Sequence, residues 1–286
     1  MSGVKMMGKE SAFDDWRRRL VIVRGGGDIA SGTIHKLTAC GFPVLVLEVS
    51  CPSCIRRTIS FCEAVVLGET VVEGVRALRV DSVEEAFELS QRGEQGMPVV
   101  PVLVDPDGEA IHKLHPKVLV DAILAKKNLG TRINDAPIVI GLGPGFTAGY
   151  DVHAVVETKR GHDLGRVIYE GKAADNTGVP GKIAGYGAER VIHSPAAGKL
   201  HIIKDIGEET AQGEVIAMVG GQPVTATIPG IVRGMIREGY PVHEGLKIAD
   251  IDPRISEKKN CLRISDKARC VSGGVLEAVL HLQLQS

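Results

Sequence analysis

The stretch VIVRGGGDIASGTIHKL, Val21 to Leu37, sets three glycines between an apolar run and a helical pattern. Gly25, Gly27 and Ala30 fall at the three small-residue positions of the dinucleotide fingerprint. The first glycine permits a tight turn, the second lets the backbone approach a ligand, and the small third residue lets the helix lie close to the sheet. Amides of Gly25, Gly26, Gly27 and Asp28, with the positive end of the helix dipole, would receive a phosphate or pyrophosphate. Glu48 closes the next apolar run, where an acid can accept from a ribose hydroxyl. Asp28 runs against this, because a carboxylate in the loop repels phosphate unless it caps the helix. The plain alternative is a glycine turn that only packs a helix on a sheet.

Other groups could join such a site. Arg56 and Arg57 follow Glu48 shortly; an arginine fork matches phosphate or another oxyanion bidentately, and two in succession cannot share one helix face. Arg56 is therefore the candidate, against a solvated surface pair. GLGPG offers Gly141, Gly143 and Gly145 as a second nest of converging amides. Asp151, His153, Glu157, Arg160, His162 and Arg166 crowd after it, and His153 and His162 are the candidates there for acid/base or hydrogen-bonding work. A charged surface hairpin is the bland reading of the same residues. Cys51 and Cys54 form a CxxC, with Cys62 eight residues on; they fit a redox pair, a soft-metal chelate or incidental thiols. No second CxxC occurs, so no metal site is expected.

These residues need a scaffold. The 286 residues are 44% hydrophobic, enough for real cores, and 34 basic residues against 35 acidic ones leave a charge of −1 with no global pull toward nucleic acid or an anionic membrane. Six cysteines do not make a disulfide framework, no stretch reaches the roughly 18 to 20 apolar residues of a membrane span, and the opening lacks a signal-peptide core. A cytoplasmic location is expected. Apolar β-branched runs at Leu20 to Val23, Val44 to Leu47, Val99 to Val104 and Ile138 to Ile140 predict strands buried on both faces. Helical patterns at Ile29 to Ala39, Ile55 to Val66, Val83 to Gln91 and Pro116 to Lys127 alternate with them, which predicts an α/β, Rossmann-like parallel sheet.

From Ser194 to Ile251 the chain repeats itself: Gly198 matches Gly230, Gly207 matches Gly239, Gly213 matches Gly245, Ile216 matches Ile248 and Ala217 matches Ala249. The pattern resembles the β-rich barrel-sandwich hybrid of biotinyl/lipoyl-like modules. That family carries its prosthetic group on a hairpin lysine, and Gly220 to Thr225 holds none, so a structural or docking module is expected. The resulting division is a flexible N-terminus at 1–18, a Rossmann-like domain at 19–135, a glycine-rich segment completing the cleft at 136–193, the hybrid at 194–253, and a C-terminal helical segment at 254–286. Its helix would start at Ser265 or Asp266 and weaken at Gly273 and Gly274.

RGGGDIASG, IRRTISFCEAV, VDAILAKKNLGT, GLGPGFTAGYDVHAVVETKRGHDLGRVI and NTGVPGKIAGY together resemble the accessory family of selenium-dependent molybdenum hydroxylases, itself similar to xanthine dehydrogenase accessory proteins. The resemblance implies a maturation protein. It would bind a molybdenum-pterin cofactor, or a nucleotide form of it, for sulfur or selenium insertion and delivery to the hydroxylase apo-enzyme. An NAD(P)-dependent oxidoreductase and a non-catalytic scaffold remain alternatives, and self-association is open.

Overall fold

The computed structural model describes residues 9–91, 93–94, 97–178 and 181–285. Along the first part run α1 (Lys9–Arg19), β1 (Val21–Arg24), α2 (Asp28–Ala39), β2 (Val44–Glu48), β3 (Glu69–Val72), β4 (Val75–Val80), α3 (Val83–Ser90), β5 (Val100–Val104), α4 (Glu109–Leu114), β6 (Val118–Asp121), β7 (Ile138–Leu142), β8 (Ala154–Val156) and β9 (Val167–Ile168). Among the described residues these strands form a nine-stranded sheet in the order β9-β8-β7-β6-β1-β2-β5-β4-β3. Its seven inner strands are parallel, and only β3 and β9 pair antiparallel.

Burial on both faces explains the unbroken apolar runs. Val21, Val23, Val118 and Val120 face a layer that includes Ile34 and Leu37 of α2 and Val271 and Val275 of a C-terminal helix, α5 (Asp266–Gln283). Ile22, Leu45 and Leu119 face the other layer, with Trp16 of α1, Phe87 of α3 and Ile111 of α4. Trp16 is 2% exposed and stacks near Phe13 and Phe87, so the segment expected to be flexible at 1–18 is anchored from residue 9 onward. Residues 1–8 lie outside the described residues.

Two expected helices are replaced. Within 116–127, Val118–Asp121 is the strand β6, paired on both sides with β1 and β7. A short buried run has no periodicity that separates strand from helix, and its β-branched content decides here. Within 55–66, the chain makes three short helical pieces, Arg57–Ile59, Phe61–Glu63 and Ala64–Leu67, interrupted at Ser60, which is extended (φ −123, ψ 126).

The second part carries β10 (Val191–His193), β11 (Gly198–Ile202), β12 (Glu209–Thr210), β13 (Val215–Val219), β14 (Gln222–Thr225), β15 (Gly230–Met235), β16 (Pro241–Val242) and β17 (Lys247–Asp252). They form two four-stranded antiparallel sheets, β10-β17-β15-β12 and β14-β13-β11-β16, each taking its short end strand from the other half of the repeat. The sequence repeat is also a backbone repeat: Gly198 and Gly230 both have φ +154, and Gly213 and Gly245 have φ +80 and +79. The molecule is thus mixed α/β, one large mostly parallel sheet with smaller antiparallel ones. Among the described residues no helix is long and apolar enough to cross a membrane.

α5 starts where expected, with Ser265 Oγ accepting from the Ala268 amide at 3.1 Å, and it runs unbroken through Gly273 and Gly274. The two glycines differ in surroundings. A Cβ on Gly273 meets nothing within 4 Å, whereas one on Gly274 would land on the carbonyl oxygen of Gly165, far inside contact distance. Gly273→Ala should therefore stabilise the chain by about 0.5–1 kcal/mol through helix propensity. Gly274→Ala should lose about 1–3 kcal/mol to overpacking, net of the same gain. Urea midpoints at constant slope read both, and shifts of equal sign would refute this packing of α5.

Candidate functional site

The chain itself occupies the glycine turn. Gly25 has φ +90 and lies so close to the next strand's end that a Cβ would stand 3.1 Å from the Ala122 carbonyl oxygen. The Gly26 amide, expected to meet a phosphate, donates to Glu48 Oε2 at 2.8 Å, and Glu48 Oε1 accepts from the Val49 amide at 2.8 Å. Burial pushes the Glu48 carboxyl above its ordinary range, and these two amides pull it partly back. Gly27 is the N-cap of α2, without a side-chain cap, so Asp28 does not cap. Asp28 Oδ1 instead stands 3.6 Å from Arg56 Nη1.

Arg56, 4% exposed, is likewise engaged with the chain. Its Nη2 donates to the carbonyls of Asn260 at 2.8 Å and Arg263 at 3.2 Å, while Nε and Nη1 have no hydrogen-bond partner among the described residues. Arg57 Nε donates to Met235 O at 2.8 Å, and Met235 N donates to Ile55 O at 2.7 Å. The 51–63 loop thereby clips the large sheet to the C-terminal β module.

The second glycine loop is also packed by its own neighbours. A Cβ at Gly141 would reach the Phe146 ring at 2.5 Å, one at Gly143 Thr158 Oγ1 at 2.5 Å, and one at Gly145 the Lys127 backbone at 2.7 Å. His153 precedes β8, and its Nδ1 accepts from the Val139 amide at 3.0 Å, near the start of β7. That places it at the amino end of the parallel strands, away from Gly25 and Gly143 at their carboxyl ends, and burial holds its imidazole below the ordinary range. His162 lies exposed in the turn after β8. The two histidines do not converge with the glycine turns.

Charge converges elsewhere. Between the β module and the start of α5 lies a cavity of about 640 Å³, lined by Arg160, Lys182, Arg233, Arg254, Arg263 and Arg269 and, of carboxylates, by Asp266. Among the described residues three of the six cations are hydrogen-bonded to a carboxylate: Arg160 to Asp266 at 2.8 and 3.0 Å, Arg254 to Asp252 at 2.8 Å, and Arg269 to Glu73 at 2.6 Å. Arg233 is the extra residue of a β-bulge between Val232 and Gly234, a device that re-aims a side chain. Its nearest carboxylate oxygen, on Asp250, is 3.6 Å away and belongs to a group that Arg190 already holds at 2.9 Å. Arg160 also lines an adjoining cavity of about 350 Å³ with Pro144, Thr158, Asp175 and Asn176.

Of the six cations lining the larger cavity only Arg160 stood among the residues singled out from sequence. The available signal was the basic run Arg254, Lys258, Lys259, Arg263, Lys267, Arg269 leading into a capped helix.

The Arg160 pair draws the Asp266 carboxyl from 3.8 to about 2. Its folded-state value is depressed, so the pair contributes stability that is complete above about pH 4 and is lost as pH falls through about 2. Asp266 is 73% exposed, and solvent screening keeps that gain small. Urea midpoints of wild type and Asp266→Asn should differ at neutral pH and converge toward pH 2; a constant gap would show that the pair does not titrate this way.

No protein-family model matches the chain. It is 50% identical over 267 residues to the protein named "Uncharacterized protein YqeB" of Escherichia coli strain K12, covering 93% of this chain and 48% of that one. The chain thus spans about half the length of this curated relative. Among solved structures it is similar to the product-bound ectoine utilization protein EutE (DoeB) of Ruegeria pomeroyi, at 15% identity, TM-score 0.24 and coverage of 82% and 85%. The succinylglutamate desuccinylase/aspartoacylase of Rhodobacter sphaeroides matches at 15% identity, TM-score 0.26 and coverage of 83% and 86%. None of these names carries molybdenum, selenium or a hydroxylase. The solved neighbours are ectoine-utilization and aspartoacylase-type proteins, and the expectation of a molybdenum hydroxylase accessory protein is corrected accordingly. Likeness at these TM-scores leaves the function to be argued from the chain's own residues.

Proposed function

We propose that the chain binds a small polyanion of the nucleoside-diphosphate class in the cleft between the large sheet, the β module and α5. The supporting observation is the 640 Å³ cavity in which six cationic side chains meet one lining carboxylate. That volume suits a small molecule rather than a polymer, and a diphosphate supplies the hydrogen-bonding oxygens that Lys182, Arg233 and Arg263 do not find in a carboxylate among the described residues. The nucleoside would extend past Arg160 into the adjoining cavity, where Thr158, Asp175 and Asn176 offer hydrogen bonds. The fold reading agrees with this placement. Arg160 follows β8 on the carboxyl side of the parallel strands, the side on which ligands of such sheets bind, although the cleft does not reach the Gly25 turn at the end of β1. On the same reading 194–253 is a barrel-sandwich hybrid without a carrier lysine, and 136–193 contributes Arg160 and Lys182 to the cleft.

The test is calorimetric titration of the full chain with ADP, NADH and inorganic pyrophosphate at low and high salt. Saturable ADP binding that pyrophosphate displaces and salt weakens supports the proposal. No heat with any of the three overturns it.

A further inference from the structure

Two thiols hang on the glycine turn that the proposed cleft leaves unused. Both come from the 51–63 loop, and consecutive residues of the turn hold them. The Cys62 amide donates to Gly26 O at 2.9 Å, and Cys54 Sγ lies 3.9 Å from where a Gly27 Cβ would stand. The Cys54 sulfur accepts from the Asp28 amide in the first turn of α2, a helix of 12 residues, and meets Ser60 Oγ at 3.0 Å. The Ser60 hydroxyl also donates to Arg56 O at 2.8 Å, so its one proton can swing from that carbonyl to an ionised sulfur. Cys62 is fully buried and lies on the same turn as Cys54, close enough for each thiol to shift the other's titration. Cys54 is half-buried, between exposed Ser53 and Cys51 on one side and the turn on the other.

These neighbours sort the two sulfurs. Donors from Cys62, Ser60 and Asp28 draw the Cys54 thiol below its ordinary range against the effect of burial. The bond to Cys54 and burial push Cys62 well above it. A thiolate with a neutral thiol beside it, at a helix amino end, is the arrangement of a nucleophile and its resolving partner.

The geometry points to a dithiol redox site in which Cys54 attacks a small-molecule disulfide and Cys62 completes the exchange. Cys54 thiolate would displace one thiolate from oxidised glutathione and form a mixed disulfide. Cys62 gives its proton to that leaving thiolate, attacks the Cys54 sulfur and expels the second glutathione thiolate, which takes a proton from solvent. Two protein thiols are oxidised by two electrons, and one glutathione disulfide becomes two thiols. This inference stands apart from the cleft, because none of its groups lines that cavity.

The test is peptide mapping of the full chain after incubation with oxidised glutathione at neutral pH. The expected result is a Cys54–Cys62 linkage with a loss of two free thiols per chain, and in Cys62→Ala a glutathione adduct that persists on Cys54. A Cys51–Cys54 linkage, or adducts confined to exposed Cys40, Cys51 and Cys270, would overturn the assignment. Wild-type mapping decides the matter even if Cys62→Ala does not fold.

Discussion

Arg56→Ala should cost the fold about 3–5 kcal/mol, the range for removing one member of a buried charged network. The side chain is 4% exposed and donates to the carbonyls of Asn260 and Arg263, some two hundred residues away. Without it those carbonyls lose a charged donor, and Asp28, with Oδ1 3.6 Å from Nη1, loses the cation it faces. Burial already presses the guanidinium pKa down, with Asp28 pushing it back, so the charge is held there at a desolvation cost that only these partners offset. Against a total stability of about 5–15 kcal/mol the loss is large. Arg56→Lys should recover only part of it, because an ammonium lacks the planar fork that reaches two carbonyls. Denaturant midpoints of the two variants check this. A change under about 0.5 kcal/mol for Arg56→Ala would mean that Arg56 behaves as an ordinary surface residue.

The same residue shows what was legible in the sequence. Arg56 could be singled out as a cation near the glycine turn, but its partners at 260 and 263 are set by the return of α5 onto α2, where a Cβ on Gly32 would stand 2.5 Å from Ala268 O. No local pattern encodes that return. Strands such as Val21–Arg24 and Val44–Glu48 were legible because burial on both faces writes an uninterrupted apolar run. The repeat around Gly198 and Gly230 was legible because the same bend recurs at the same φ. Val118–Asp121 was misread as helix, since Ala122 and Leu124 extend its apolar run at a helical spacing. The glycine turn was placed correctly at the end of β1, but Glu48 takes the Gly26 amide that a phosphate would use. A fingerprint specifies close backbone approach; it does not specify whether a ligand or the chain makes that approach. The cleft stayed hidden because only 254, 263 and 269 share a local basic run, and 160, 182 and 233 join them through tertiary structure alone.

Arg233→Met should weaken ADP binding by roughly 10- to 150-fold while leaving the fold nearly unchanged. The factor is that of one hydrogen bond to a charged group, about 1.5–3 kcal/mol. Arg233 should dominate because it is the cleft cation with fixed position and little compensation. Its side chain is only 15% exposed, a bulge in β15 aims it, and Asp250 at 3.6 Å is already held by Arg190. Its Nε is buried without a hydrogen-bond partner among the described residues, so methionine gives up only the 3.6 Å ion pair to Asp250, which Arg190 still holds, and keeps the apolar stem packed. Exposed Arg269 makes the contrasting variant: two bonds to Glu73 at 2.6 and 2.7 Å already satisfy it, so Arg269→Ala should weaken ADP much less. Calorimetric Kd values for the two variants, beside their urea midpoints, decide the case. Equal small losses at both positions would mean that the cleft attracts anions through its summed charge and has no fixed seat for a diphosphate.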